Sequence, residues 1–511
     1  MDESSIILSV LTFLPLLAAA VATAVDSGKA RLLAQAASGA SLLIVISLLI
    51  GFDATSAKMQ FAQRLVWIPS LGIDYYLGID GLGLVMVVLT SIVMLMAVCT
   101  SKKDSSAGYY ALMLFLQSGL YGAFTALNFF HWFLFYELCL IPAFFLIKLY
   151  GGLQRTEAAL QFFVYTMVGS IALLVGFVGL YFATGTLDFI KLAAIASEGE
   201  LAATLDAKFK SNVVGLSGST AYLLMGIGVL LGFAVKVPLM PFHTWLPSTY
   251  TQAPTPVTMT LTGVMSKLGI YGLLRLWLPI FPDAIQPILT LLMWLAIITI
   301  VFAAGSALAQ KDIKKVFAYS SVNHLGYCLL GIFALASESV SELDRSAILA
   351  GVILQTFNHG ITAAALFCYL AFLEERSHGK RGMDDFGGLR KITPVFCGLM
   401  GIALFASLGL PGLNGFAGEF LIFKGVYGAA GWAAVFALPG LLITAVFILN
   451  LMQRVFSGPL NESWARMPDL SWREKLIVIP ATGLMFLLGI YPMALLHFIN
   501  PTVQQMVEGL S

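Results

Sequence analysis

Gly232-Phe233-Ala234-Val235-Lys236-Val237-Pro238-Leu239-Met240-Pro241-Phe242-His243 sets a lysine inside an apolar run, directly ahead of two prolines. Proline removes a backbone donor and crowds the preceding turn, so a helix that enters this stretch has to break within it. The same defect recurs about 183 positions later in Gly409-Leu410-Pro411-Gly412-Leu413-Asn414-Gly415-Phe416-Ala417-Gly418-Glu419, again beside one charged residue. A single kink would mean little, because Gly and Pro are common in membrane helices. Two breaks at matched positions, each next to an isolated charge, predict discontinuous helices of the kind transporters place at the membrane midplane.

The offset repeats on either side of these breaks. Glu137 falls about 187 positions before His324, and Tyr165-Thr166 about 190 before Gln355-Thr356. Two five-helix units are implied, and because five is odd the second enters the membrane from the opposite side, as an inverted repeat. The glycines between 409 and 418 do not make a phosphate loop, since they lack a basic partner and a preceding strand.

Composition supplies the solvent. The chain has 511 residues, 59% hydrophobic and 11% charged, with a mean hydropathy of +0.90, too little polar surface for a soluble globule of this length. Apolar windows long enough to cross about 30 Å of hydrocarbon predict an all-α polytopic membrane protein. Its fourteen spans fall near 5–24, 31–52, 82–100, 107–127, 128–150, 157–184, 219–248, 254–278, 285–306, 313–336, 345–374, 394–424, 430–456 and 472–499. The first run follows Met1-Asp2-Glu3-Ser4-Ser5, acidic where an export signal needs Lys or Arg, and is expected to be a retained span. The division is then 1–106 (spans 1–3), 107–278 (first repeat, spans 4–8), 279–456 (second repeat, spans 9–13) and 457–511 (span 14).

An even number of crossings puts both termini on one side. The loops on the opposite side hold most of the basic residues, among them Lys102, Lys103, Arg155, Lys311, Lys314, Lys315, Lys380 and Arg381. The positive-inside rule makes that face cytoplasmic and points the termini outward. The outer loops, the longest near 53–80 and 185–218, keep only Lys58, Arg64, Lys191, Lys208, Lys210 and Arg345.

Several chemistries are excluded. The five cysteines (Cys99, Cys139, Cys328, Cys368, Cys397) lie in apolar segments without C-x-x-C spacing, which argues against iron-sulfur or zinc ligation. Neither a dinucleotide fingerprint nor a phosphate-loop motif occurs. A net charge of +1 with scattered basic residues gives no nucleic-acid footprint.

What remains is a set of ionisable residues where lipid should exclude them: Glu137 in Phe133-to-Pro142, Lys236, Lys267 in Thr262-to-Gly269, His324 in Ser320-to-Gly326, His359 in Gln355-to-Gly360, and Glu419. A charge at the centre of a membrane helix costs about 2.5–3.5 kcal/mol on insertion scales unless it is neutral, paired or wet. One histidine alone would be an ordinary core residue and one lysine a structural ion pair. Six such groups in one chain instead suggest a relay, for which imidazole is suited by its unperturbed pKa of about 6.5. Glu137 and Lys236 are expected to act as a coupled pair, and neighbouring Ser, Asn, Thr and Gln to hold water between sites. His243 is a candidate supporting partner. Lys148, Arg275 and Lys424 are expected to snorkel at span ends, His131 and His497 to sit at the interface, and His378 in a cytoplasmic loop.

The strings around Glu137, Phe233-to-Pro247, Gln252-Ala253-Pro254-Thr255, Gln310-to-Gly326 and Pro411-to-Glu419 resemble the antiporter-like proton-channel subunits of respiratory complex I, over nearly the whole chain. These subunits are related to the large subunits of multisubunit cation/proton (Na+/H+) antiporters. Most carry lysine at the twelfth-span position, whereas the complex I branch homologous to mitochondrial subunit four carries glutamate, as here at Glu419. The resemblance implies Glu137 and Lys236 as the coupled pair, Lys267 as central relay, His324 and His359 as bridge and Glu419 as exit. It also implies a non-redox, proton-translocating subunit driven by quinone reduction elsewhere. NADH, FMN, iron-sulfur clusters and quinone would then reside in partner subunits, with antiporter-like neighbours on both flanks and a bacterial plasma membrane as the location. Lys148 departs from the apolar run expected after Glu137.

Overall fold

Along the helix Arg155–Thr184, residues Leu160, Val164, Val168, Ile171, Val175, Val178 and Phe182 are all exposed, while Phe162, Thr166, Leu173, Phe177 and Leu180 are buried. Three- and four-residue spacing puts each set on one face, so a stripe of large apolar side chains points outward where a soluble protein would put charges. Such a stripe fits apolar surroundings and not water. The computed structural model describes residues 5–209, 217–282, 284–337 and 340–510; the leader residues Met1 to Ser4 and Lys210 lie outside them.

Among the described residues ten helical segments are long and apolar enough to cross a membrane, and an eleventh span is made if Trp472–Ile490 and Met493–Glu508, bent by 65°, are taken together. Ile7–Ala22 and Pro394–Leu408 are shorter apolar helices. Each of the fourteen segments read from the sequence overlaps a helix or a broken pair of helices. The longest, Asn414–Phe456, has 43 residues, about 65 Å at 1.5 Å per residue, roughly twice the hydrocarbon thickness. It turns at Ala430, whose φ of −155° and ψ of 77° are not helical.

The first long loop, near 53–80, is not irregular. Gln60–Ile68 (β1) pairs antiparallel with Ile73–Ile79 (β2) across Pro69–Leu71, with Gly72 at φ 61° closing the turn. Aromatic and branched residues on both strands, and glycine where the backbone turns left-handed, account for the hairpin. Outside this hairpin the described residues are predominantly helical, as the all-α expectation requires. The second long loop carries two short helices, Phe189–Ser197 and Glu200–Phe209.

Both predicted breaks are present. The helix Gly218–Lys236 ends at the lysine and the chain resumes helix only at Trp245–Gln252. Pro394–Leu408 ends before Asn414, with Gly409 and Gly412 at φ 80° and 93°. Freed backbone groups at membrane depth need partners. Trp245 Nε1 donates to Val235 O (3.0 Å), and Met240 N donates to Thr299 Oγ1 (3.0 Å).

Three helices form the centre. Thr255–Ile280, Ile313–Leu335 and Glu342–Arg376 are buried over nearly their whole length, packed against Gly81–Thr100, Leu289–Leu308 and Asn414–Phe456. They carry Lys267, His324 and His359.

Candidate functional site

Lys236 is the last residue of its helix, and its side chain is buried (2% exposed). Its ammonium lies over the Tyr136 ring, 4.6 Å from the centroid, an orientation that the negative face of the ring favours. Glu137 is near enough to act on it electrostatically, but the two do not form a direct ion pair. Glu137 Oε1 is buried without a hydrogen-bond partner among the described residues. Lys236, Trp245, Tyr250 and Ser266 line a cavity of about 10 Å³, room for about one water. Ser266 is next to Lys267, so this cavity lies between the two lysines.

Lys267 is fully buried between two π-helical turns, Leu261–Met265 and Leu273–Trp277. In such a turn hydrogen bonds run one residue longer than in an α-helix. Here Ser266 N bonds Leu261 O (3.0 Å), and Thr262 O accepts both Ser266 Oγ (3.0 Å) and Lys267 Nζ (2.5 Å). The local backbone therefore folds the ammonium back over its own helix. From there it reaches His359 Nδ1 at 2.6 Å. An ammonium donating to Nδ1 leaves the imidazole proton on Nε2, and the reverse transfer needs no heavy atom to move.

His359 and His324 stand with ring centroids 5.2 Å apart. A second cavity of about 10 Å³ is lined by Ser320, Ser321, His359 and Ser407, and Ser407 Oγ is also 3.2 Å from His324 Nε2. His324 Nδ1 meets Glu419 Oε1 at 2.9 Å, and the same oxygen accepts from Gln355 Nε2 (3.1 Å). Nδ1–H faces the carboxylate, while the Ser407 hydroxyl can either donate to Nε2 or accept from it. His324 is thus held whether neutral or protonated.

The structure therefore joins Lys267 to His359 and His324 to Glu419 by direct bonds, and links Lys236 to them through a space of water size. Glu137 stands off the line. His243 makes no bond to Lys236, and its Nδ1 is buried without a partner among the described residues.

Some side chains differ from expectation. Arg275 is not an interfacial anchor: it is 11% exposed, and its guanidinium grips Asp80 in a fork, Nη1 at 2.8 Å from Oδ2 and Nη2 on Oδ1. Asp80 also caps its own helix by accepting from Gly83 N (3.0 Å). Nothing in the apolar run marked Asp80, which sits at the first turn of a span where an acid is commonplace. His131, at the start of its helix, is buried (1%) and stacked on Tyr75, centroids 4.8 Å apart. Lys314, grouped with the loop charges, is buried (2%) and donates to Ala253 O (2.7 Å) and Thr255 Oγ1 (2.8 Å). Lys148 lies over the Phe144 ring at 5.4 Å, and Lys424, His378 and His497 are exposed, as expected for peripheral groups. Asn358, Asn414 and Thr362 were not singled out. They clamp the second break, Asn358 Nδ2 donating to Asn414 O (2.6 Å) and Asn414 Nδ2 to Asn358 O and Thr362 Oγ1 (both 3.2 Å).

Residues 126–445 match the family model described as NADH:quinone oxidoreductase/Mrp antiporter, transmembrane. The chain is 36% identical to NADH-quinone oxidoreductase subunit M of Rhodobacter capsulatus, over 98% of its own length and 96% of the relative's. This chain belongs to the NADH-quinone oxidoreductase subunit M family. All six ionisable residues singled out in the sequence of this subunit M family member lie within the matched segment, and Asp80 lies outside it. In fold it is similar to a chain of respiratory complex I from Thermus thermophilus with bound NADH (TM-score 0.85, 24% identity, 99% of this chain and 100% of that one). It is also similar to a chain of the Mrp complex from Dietzia sp. (TM-score 0.83, 19% identity, all of both chains). Among the described residues this subunit M relative has no group of three or more His, Cys, Asp or Glu side chains placed to hold a metal ion.

Proposed function

We propose that this chain is the proton-translocating membrane-arm subunit of a complex I-type NADH-quinone oxidoreductase, itself free of redox centres, in which quinone reduction in other subunits drives proton movement through the file. One observation carries the reading: Lys267–His359 and His324–Glu419 are direct hydrogen bonds of 2.6 and 2.9 Å between buried side chains, and the two histidine rings stand 5.2 Å apart by centroid. Proton transfer needs donor and acceptor in hydrogen-bond reach, and burying four titratable groups in contact has no equivalent benefit for packing. Lys236 would supply the file through the water-sized space at Ser266. Glu137, near enough to Lys236 to act on its charge without a direct bond, would be the switch that receives a signal from a neighbour.

Fourteen crossings in two inverted five-helix repeats fit this role. Two pairings support the repeat: Tyr165 OH bonds Thr244 Oγ1 (2.8 Å) at the first break, and Gln355 bonds Glu419 near the second. On this reading NADH, FMN, iron-sulfur clusters and quinone belong to partner subunits. Antiporter-like subunits and lipid cover the flanks, the membrane is the bacterial plasma membrane, and both termini face outward. A cation/proton antiporter subunit is the second reading, favoured by the full-length likeness to the Mrp chain. Co-purification separates the two, redox subunits supporting the first and small antiporter subunits the second.

The test is Glu419→Gln in the assembled complex reconstituted into vesicles. Amide in place of carboxyl keeps the shape and cannot carry the proton, so quinone-driven proton translocation should fall by about 100-fold, the lower end of what a positioned acid or base contributes. An undiminished proton yield would remove Glu419 from the path and the reading with it.

A further inference from the structure

Where Pro394–Leu408 runs beside the last turns of Asn414–Phe456, the surface carries a groove of about 580 Å³. Gly398, Gly401, Phe405, Met452 and Phe456 line it, and Arg390 borders it where the helices meet their loops. Glycine gives the groove its depth. A Cβ at 398 would meet nothing within 4 Å, and one at 401 would come only within 3.8 Å of Met452 Cε. From Pro394 to Phe405 the helix rises about 16 Å at 1.5 Å per residue, close to half of a hydrocarbon layer about 30 Å thick. That is the depth of one leaflet.

The Arg390 end has the marks of a membrane surface. Asp469 caps the start of Pro394–Leu408 by accepting from Val395 N and Phe396 N (both 2.9 Å). Three residues further on, Trp472 is 70% exposed beside the exposed Arg473, the aromatic and basic pairing that anchors chains at headgroup level. The cations at this end differ in their partners. Arg376, Arg381 and Arg454 meet Glu474, Asp312 and Asp384. Arg390 and Lys391 are exposed and make no ion pair among the described residues. A guanidinium presents a fork of donors that matches phosphate oxygens, and here it stands at the mouth of an apolar slot. A partner helix lying in the slot would leave both cations without an anion, whereas a lipid headgroup supplies one. The contrast lies elsewhere on the surface: a groove of about 510 Å³ between Ile7–Ala22, Ala107–Thr125 and Leu140–Tyr150 is equally apolar and has no charged residue in its lining.

We propose that the groove between Pro394–Leu408 and the end of Asn414–Phe456 is a binding site for an anionic phospholipid. One acyl chain lies over Gly398 and Gly401 toward Phe405, the phosphate sits on Arg390, and Lys391 adds a second positive charge. The site is independent of the proton-translocating reading, since it needs only the groove, the two cations and a bilayer.

The experiment uses the intact complex in phosphatidylcholine vesicles that contain a minor fraction of a photoactivatable lipid. Its diazirine is in the acyl chain, and its headgroup is either phosphatidylglycerol or phosphatidylcholine. After irradiation, labelled peptides are quantified by mass spectrometry. Peptides bearing Phe405 and Met452 should take up about fivefold more of the glycerol lipid, the gain expected from one basic residue at an anionic headgroup. Arg390→Gln with Lys391→Gln should bring the two lipids level, and Gly398→Leu, by filling the slot, should cut labelling there from both. Peptides bearing Phe115 and Leu149, in the uncharged groove, should take up both lipids alike in every variant. Equal labelling by the two lipids in the unaltered complex overturns the proposal, as does a preference that survives loss of both cations. Absence of label from either lipid, which means that another subunit fills the groove, overturns it too. If Gly398→Leu fails to assemble, the headgroup comparison decides.

Discussion

His359 holds the centre of the file, between Lys267 and the His324 ring. Nδ1 is bonded to the Lys267 ammonium at 2.6 Å, and the ring borders the small cavity shared with Ser407. An imidazole can take a proton on one nitrogen and release it from the other, which no amide can do. Two substitutions separate relay from positioning. His359→Ala removes both, whereas His359→Gln can still accept from Lys267 through its amide oxygen. Both should lose proton translocation by about 100-fold if the residue relays. Substantial activity in the glutamine variant, measured as acidification per quinone reduced, would make His359 a positioning residue only. At this scale the sequence was informative, since an acid or base in an apolar run stands out by itself. It could not tell which neighbour each group takes. Glu137 and Lys236, expected as a coupled pair, make no direct ion pair: the Lys236 ammonium lies over the Tyr136 ring, with Glu137 near enough to act on its charge.

Among the elements, Thr255–Ile280 shows what sequence conceals. Its π-helical turns set Lys267 against Thr262 O; Gly263 lies within the first and Pro279 follows the second, but neither residue by itself tells a π turn from an ordinary kink. Its C-terminal end is fastened by the Arg275–Asp80 fork to the start of Gly81–Thr100. Removing one partner of a buried pair strands the other, at about 3–5 kcal/mol. Asp80→Asn should therefore lower the thermal stability of the purified complex, while Asp80→Leu with Arg275→Met should recover most of it. Equal losses in the single and double variants would show that the pair holds no more than its own packing. The fork was missed for a physical reason. An arginine near a span end ordinarily snorkels, and only the tertiary fold shows that an acid 195 positions earlier stands opposite. The two helix breaks, in contrast, were legible, since proline and glycine act on the backbone locally.

The molecule as a whole has a sidedness that geometry alone leaves open and charge decides. Basic loop residues such as Lys380 gather at one end, where Arg381 pairs with Asp312 (2.8 Å) and Arg376 with Glu474 (2.7 Å). The hairpin β1–β2 caps the other end, with Arg64 tied to Asp74 (2.8 Å) and Asp188 (3.4 Å). If positive loops are retained inside, the hairpin is outside and every proton that leaves Glu419 outward adds to the membrane gradient. Cysteine labelling can test this with little background, because four native cysteines are buried and Cys99 is only partly exposed. Ser70→Cys, in the exposed hairpin turn, should react with a membrane-impermeant maleimide in intact cells, and Lys380→Cys only after the cells are opened. The opposite pattern would invert the molecule and turn the file's outlet into its inlet. Labelling of both sites from outside would mean that the basic end is not sealed from that side, and the assignment of a single exit would fall.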